Sequence, residues 1–171
     1  MDLPATVGDK LVLAMFVAPL VVCAVFDLRS FRIPNVITGG MLALFPIAGL
    51  LASQPIDWLW HLAAGLLVFV PVAALFAFNI LGGGDAKLLA VAALWLGWDQ
   101  LLPFMVLTGF FGGLLAVFIL MVRNPATEAL FALAGAGRPQ ILHRGAGIPY
   151  GIAIAAAGCW LAPRLPLIAF P

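Results

Sequence analysis

The sequence predicts an all-α integral membrane protein with about six transmembrane helices and both termini outside. Of its 171 residues, 65% are hydrophobic and only 9% are charged, whereas a soluble domain carries about 25% charged residues. Apolar runs close to the roughly 20 residues that a spanning helix requires recur from one end of the chain to the other. We therefore expect residues 1–171 to form one polytopic domain surrounded by membrane lipid, without a soluble domain.

The apolar runs place the predicted spans along the chain. They cover approximately residues 11–26, 34–52, 58–80, 85–97, 101–122 and 148–162. The fourth span has about 12 residues and a length of about 18 Å, so it must begin below the membrane surface or thin the bilayer locally. Residues 98–100 are predicted to form the tight turn before the fifth span. In that span, Gly109, Gly112 and Gly113 predict a face of small residues for close helix packing.

The basic residues predict the orientation of these spans. With six spans and both termini outside, one side receives six of the eight Lys and Arg residues, namely Arg29, Arg32, Lys87, Arg123, Arg138 and Arg144. Because Lys and Arg are enriched in cytoplasmic loops, we expect this side, with a loop at about 123–147, to be cytoplasmic. Only Lys10 and Arg164 then lie outside.

The composition also excludes several classes of site. A net charge of +1 without a basic cluster gives no indication of nucleic-acid binding. Cys23 and Cys159 lie in apolar runs, and the sequence contains neither a CxxC motif nor a His/Cys cluster, so we predict no metal site and no cofactor. His61 has no second ligand one helical turn away and is interpreted as an interfacial residue. The sequence makes no prediction about the oligomeric state.

A glycine-rich break precedes the fourth span. Gly82, Gly83 and Gly84 disfavour helix and allow a backbone and a substrate to approach closely. Asp85 follows them, and an ionisable residue at membrane depth indicates a functional site. A simple helix cap explains Asp85 equally well, since aspartate accepts hydrogen bonds from the first N–H groups of a helix. Asn79, just before the glycines, either satisfies local backbone groups or lines a site.

Asp27, at the end of the first span, falls on the same side and at the same predicted depth as Asp85. Two carboxylates that face each other cannot both ionise cheaply, so such a pair shares one proton. The ionised member can take a proton from water while the protonated member polarises a carbonyl, which gives peptide hydrolysis without a metal. Two alternatives remain. One is a proton-coupled transporter with both aspartates as relay groups, and the other is a scaffold in which both are helix caps.

Three short motifs accompany these two aspartates. Asp27 is followed by Ile33-Pro34-Asn35, the glycine break reads Gly82-Gly83-Gly84-Asp85-Ala86-Lys87-Leu88-Leu89, and Ile148-Pro149-Tyr150-Gly151 opens the last span. Together these motifs resemble the prepilin peptidases, which are polytopic aspartic peptidases of the GxGD type. The resemblance implies that Asp27 and Asp85 are catalytic. The candidates for binding substrate or shaping the site are Gly82, Gly84, Lys87, Asn79, Pro34, Asn35, Pro149 and Tyr150.

The resemblance also implies a substrate and a location. The substrate is a type IV pilin-like precursor, whose short basic leader is removed at the cytoplasmic face of the bacterial inner membrane. Larger members of the family carry an N-terminal region with paired CxxC motifs and also methylate the new N-terminus. Without that region, the chain is similar to the short CpaA/TadV peptidases of tight-adherence (Flp) pilus systems, and N-methyltransferase activity is not expected.

Lys87 has two interpretations of its own. It lies two residues beyond Asp85 on a predicted helix, and neighbours on one helix face are three or four residues apart, so it points away from Asp85. We expect its ammonium to reach the membrane interface or to bind an acidic group of the substrate.

Overall fold

The chain is helical throughout the part that the structure describes. This computed structural model describes residues 6–124 and 147–168, together with 126–127, 131, 133–134, 141 and 143. Its main helices are α1 (Val7–Ser30), α2 (Asn35–Leu51), α3 (Trp58–Ala77), α4 (Gly83–Val122) and α5 (Tyr150–Leu161), followed by a 3-10 helix (Ala162–Arg164). Arg138 and Arg144, which contribute to the predicted orientation, lie outside the described residues.

Three of these helices are long and apolar enough to cross a membrane, namely α1, α3 and α4. The α2 helix is apolar but shorter. The prediction of an all-helical integral membrane protein is supported by these helices. The number of spans and the positions of the termini stay predictions.

The α4 helix contains a sharp break at Gly97. This residue has φ +69° and ψ −174°, a conformation that glycine adopts readily and other residues do not. Residues 98–100 are helical, so the predicted turn at these positions is wrong and the break lies one residue earlier. The helix is therefore interrupted at Gly97 and not at the polar residues Asp99 and Gln100.

The chain reverses direction at this break. Trp98 contacts Trp60 near the first turn of α3, with ring centroids 5.1 Å apart. Further along α4, Phe118 and Ile152 border the same groove. Ile152 lies near the start of α5, and this end of α5 lies against the last turn of α1. The second half of α4, residues 98–122, therefore runs back beside α5. The two halves are arranged like two of the separate spans that the sequence predicts.

His61 occupies the space beside the break. Its Nδ1 lies 2.8 Å from the carbonyl oxygen of Leu94, in the turn before Gly97 where the helical hydrogen-bond pattern is interrupted. A Cβ at Gly97 would lie 2.9 Å from the imidazole Cε1. His61 is only 4% exposed, because its ring fills the gap that the glycine leaves. Its depth at the membrane interface stays a prediction.

The first half of α4 is the centre of the fold. Residues 88–97 are all buried, which requires a helix that is apolar on every side. Trp95 stacks on Phe16 of α1 at 5.6 Å and donates from Nε1 to the carbonyl oxygen of Met41 in α2 at 3.0 Å. These contacts hold α1 and α2 against α4, and so set the position of each residue at the start of α4.

Only one of the three glycines predicted to pack closely in the second half of α4 does so. A Cβ at Gly112 would lie 2.6 Å from the ring of Tyr150, so this glycine allows α4 and the start of α5 to approach. Gly109 and Gly113 have nothing within 4 Å of an added Cβ. The prediction of a continuous small-residue packing face is therefore wrong for these two positions.

Candidate active site

Asp27 lies in the last turn of α1 and is 4% exposed. Its Oδ2 accepts a hydrogen bond of 2.7 Å from the backbone N–H of Gly151, the second residue of α5. Phe31 ends the helix in a left-handed conformation, with φ 51°, and donates its N–H to the carbonyl oxygen of Asp27 at 2.9 Å. Both the backbone and the carboxylate of Asp27 are therefore held in place.

Asp85 is the third residue of α4 rather than its cap. Gly82 occupies the N-cap position, and no side chain makes a capping hydrogen bond there. The interpretation of Asp85 as a simple cap is therefore wrong. Its carboxylate stands close to Gly82, where an added Cβ would lie 2.9 Å from Oδ2, so a larger residue at position 82 would displace it.

The two aspartates share one pocket of about 290 Å³. The pocket is also bordered by the ends of the two segments that meet there: Phe31, Arg32, Ile33, Gly82, Gly83 and Gly84. Both carboxylates therefore face the same space. The structure thus brings together Asp27 and Asp85, which the sequence analysis placed at the same depth. Two carboxylates in one pocket can hold a single proton.

Glycines give this pocket its shape by permitting close approach. A Cβ at Gly84 would lie 3.0 Å from the Cβ of Ile33, and one at Gly151 would lie 2.9 Å from the Cδ1 of Ile33 and 2.9 Å from Oδ2 of Asp27. Ile33 is therefore wedged between the starts of α4 and α5. The starts of α4 and α5 can both approach the segment around Ile33 because Gly84 and Gly151 have no side chain at the point of contact.

Lys87 and Asn35 lie outside the pocket that the aspartates share. The Lys87 ammonium donates to Oδ1 of Asn35 at 3.0 Å, and Lys87 also borders an apolar groove between α2, α3 and α4. This placement agrees with the helical spacing that separates Lys87 from Asp85. The hydrogen bond links the start of α2 to the start of α4.

The remaining candidates support the segments around the pocket. Pro34 precedes α2 as its N-cap residue, one position before the first turn in which it was expected, and Pro149 holds the same position for α5. Asn79 is an exposed turn residue with φ 57° and does not border the pocket. Tyr150 packs against Gly112.

Gly151 is the functional contact that the sequence interpretation did not identify. It appears in the Ile148-Pro149-Tyr150-Gly151 motif, but its backbone N–H, rather than a side chain, makes the contact with Asp27. The signal for it was a glycine at the second position of a helix, where N–H groups have no partner within the helix.

The titratable side chains that border the pocket include the carboxylates of Asp27 and Asp85. Within residues 6–124, 147–168 and the few described between them, no group of His, Cys, Asp and Glu side chains is arranged to hold a metal ion. A shared proton and a fixed carboxylate permit acid and base catalysis on a group held between them.

Comparison with known families identifies one match. The model of the type IV leader peptidase family matches residues 14–117. The matched region includes Asp27, the glycine break and Asp85, and covers more than half of the chain. No curated protein and no solved structure matches the sequence.

Proposed function

The chain belongs to the type IV leader peptidase family, whose members are aspartic endopeptidases that cleave prepilin leaders, and we propose that Asp27 and Asp85 are its two catalytic carboxylates. The observation that carries this proposal is their shared pocket. The two side chains come from separate helices, and a glycine-rich segment that an extended peptide can approach borders the same space.

The contacts of the two aspartates assign them different roles. Asp27 accepts a backbone hydrogen bond at the start of α5, where the helix dipole also favours a negative charge. Asp85 has no hydrogen bond of this kind in the described part of the chain and faces the charge of Asp27. These contacts support the assignment of the base to Asp27 and of the acid to Asp85.

Cleavage then follows a balanced sequence of proton transfers. Asp27 removes a proton from water as the water oxygen attacks the scissile carbonyl carbon, and Asp85 donates its proton to the carbonyl oxygen. When the tetrahedral intermediate collapses, the C–N bond breaks, the nitrogen takes the proton held by Asp27, and Asp85 recovers its own. Each step uses only the two carboxylates and water.

The proposal extends to the substrate and the membrane. The substrate is a type IV pilin-like precursor of the Flp type, as for the CpaA/TadV peptidases. The leader is cut at the cytoplasmic face of the bacterial inner membrane by a protein of six spans with both termini outside. The unequal distribution of Lys and Arg supports this orientation, since Arg29, Arg32 and Arg123 lie at the end of the molecule that carries the aspartates.

A co-expression assay tests the catalytic pair. A candidate Flp-type prepilin is produced with the wild-type chain, with Asp27→Asn or with Asp85→Asn, and leader removal is followed by a gel shift. We expect both variants to lose processing while reaching wild-type levels in the membrane. Lys10→Gln, a charge change at the other end of α1, serves as the control and is expected to process normally.

The same assay separates catalysis from a capping role. Asparagine retains the side-chain oxygen that accepts the N–H of Gly151, so a scaffold with capping aspartates would tolerate Asp27→Asn. Processing that survives in either variant would remove that aspartate from the mechanism. If the wild-type chain fails with every prepilin tested, a proton-flux assay on the same membranes distinguishes a transporter from a peptidase.

A further inference from the structure

Arg123 ends α4 and binds the segment that leads into α5. Its Nε and Nη2 donate to the carbonyl oxygen of Ile141 at 3.0 and 2.8 Å, and Nη2 also donates to the carbonyl oxygen of Gly147 at 3.0 Å. A basic residue at a helix end can bind the last carbonyl groups of its own helix, but these partners lie 18 and 24 positions later in the chain. The guanidinium therefore joins the end of α4 to a distant segment.

The shape of the guanidinium suits this contact. Its N–H donors form a rigid, planar fork, so two of them meet one carbonyl oxygen while another hydrogen of Nη2 reaches the second carbonyl. A lysine ammonium is a compact charge on a flexible stem and would not hold two carbonyl groups in a fixed relation. Both partners are backbone atoms, which a side-chain substitution at position 141 or 147 leaves in place. Arg123 is therefore the residue whose replacement tests the contact.

The bound segment leads directly to the catalytic pair. Only three residues separate Gly147 from Gly151, whose N–H is the donor to the pair. The middle one, Pro149, is buried at the N-cap position of α5, and its ring fixes its φ. The last, Tyr150, lies against Gly112 of α4. The path from the carbonyl group of Gly147 to the amide of Gly151 is therefore short and stiff.

The same segment also lies beside the wall of the catalytic pocket. A Cβ at Gly147 would lie 4.0 Å from Cδ1 of Phe31. Phe31 borders the pocket and donates its N–H to the carbonyl oxygen of Asp27. A shift of Gly147 would therefore reach the pocket in two ways, through the start of α5 and through the ring that ends α1.

We propose that Arg123 is a positioning residue for the catalytic pair. By holding the carbonyl group of Gly147, its guanidinium fixes where α5 begins, and so keeps the N–H of Gly151 at 2.7 Å from Oδ2 of Asp27. The inference rests on the proposed function, in which Asp27 is the base. Arg123 is not one of the described residues that border the pocket, so it acts on the orientation of the base and not on the substrate.

Kinetics with the prepilin from the co-expression assay separate positioning from charge. Arg123→Lys keeps the positive charge, including its contribution to the orientation of the spans, but loses the fork. We expect kcat to fall about tenfold and KM to stay within about twofold of the wild type, since a displaced base slows the reaction without weakening substrate binding. Arg29→Lys, at an exposed arginine of the same end, is the matched control and should behave as the wild type. A wild-type kcat in Arg123→Lys, or a loss confined to KM, would overturn the proposal.

A double variant tests the path through Gly151. Gly151→Ala already displaces the contact with Asp27, so adding Arg123→Lys should lower kcat by less than about twofold more. Losses that multiply would show that Arg123 acts independently of Gly151 and would overturn the proposal. Asp27→Asn is assayed beside them. Cleavage that survives in Asp27→Asn removes the base and the positioning role together, whereas its loss there with full activity in Arg123→Lys overturns only the role of Arg123.

Hydrogen exchange reports the same link without substrate. Gly151 is the second residue of α5, where N–H groups have no partner within the helix, so the protection of its amide depends on Asp27. We expect this amide to exchange about tenfold faster in Arg123→Lys than in the wild type, because the segment before it is then free to move. The amides of residues 88–97, at the centre of the fold, should keep their protection, which shows that the variant is folded. Unchanged protection of Gly151 would overturn the proposal.

Discussion

Both ends of the molecule carry aspartates from separate segments, but the surroundings of Asp27 and Asp85 differ from those of Asp57 and Asp99. At one end, Asp27 is 4% exposed and fixed by a backbone N–H, and the glycines around it bring three segments together. At the other end, Asp57 and Asp99 are exposed beside a tryptophan pair. In our proposal the first pair shares one proton, because both carboxylates border one pocket, whereas the second pair is open to solvent. The same residue type is therefore enclosed with a partner at one end and solvated at the other.

The largest effect is expected from replacing either aspartate of the proposed catalytic pair. Asp27→Asn or Asp85→Asn should each lower prepilin cleavage by about 10³-fold or more, because the base or the acid of the reaction is then missing. The rate of leader removal in membranes measures this. A decrease of less than tenfold in either variant would mean that the two aspartates do not act as a catalytic unit.

A smaller effect is expected when the pair is kept but displaced. In Gly151→Ala the new Cβ meets Oδ2 of Asp27 and the side chain of Ile33 at 2.9 Å, and we expect about a 10²-fold loss of kcat with little change in KM. Gly147→Ala is the matched control, since its Cβ meets only Phe31 at 4.0 Å. Equal activity in the two variants would show that Gly151 does not position the carboxylate.

At the end opposite to Asp27 and Asp85, Gly97→Ala tests the backbone conformation at the break in α4 and not the peptidase reaction. The combination of φ 69° and ψ −174° at Gly97 is essentially restricted to glycine and disfavours alanine by about 1–3 kcal/mol. The added Cβ would also meet the buried ring of His61 at 2.9 Å, which adds to this cost. We expect a clearly lower midpoint of thermal unfolding in detergent. A midpoint equal to that of the wild type would contradict the conformation assigned to Gly97.

The smallest effect is expected in the second half of α4, which connects the two ends. Gly112→Ala should destabilise the protein by about 1–3 kcal/mol through overpacking against Tyr150. Gly109→Ala has open space around its Cβ and should be neutral or stabilising by a few tenths of a kcal/mol. Thermal unfolding of the two variants in parallel gives the comparison, and the reverse order would refute the packing of α4 on α5.

The placement of the catalytic candidates could be predicted because it depends on local signals. Apolar runs mark the helices, and the basic residues between them put Asp27 and Asp85 at one depth. The predicted end of the fourth span near Gly97 agrees with the break in α4, but the turn after it was misplaced. Polar residues at 98–100 favoured a turn there, whereas these residues are helical and the positive φ falls on Gly97.

The contacts of His61 and Lys87 could not be predicted from the sequence either. His61 was interpreted from its place near the end of a span, yet its ring is buried against a glycine 36 positions later in the chain. Lys87 was expected at the interface or on a substrate, and its partner is Asn35. Neither partner can be recognised from spacing, because the segments that meet are far apart in sequence.

The sequence by itself determined that this protein is apolar and helical, and that Asp27 and Asp85 are its candidate catalytic pair. These features follow from composition, from the lengths of apolar runs and from motifs within single segments. The tertiary structure alone decided that Gly151 holds Asp27, that Ile33 fits between two glycines, and that Arg123 binds the carbonyl oxygen of Gly147. Those features depend on which helix faces approach each other, and close packing between distant segments has no signal in local sequence.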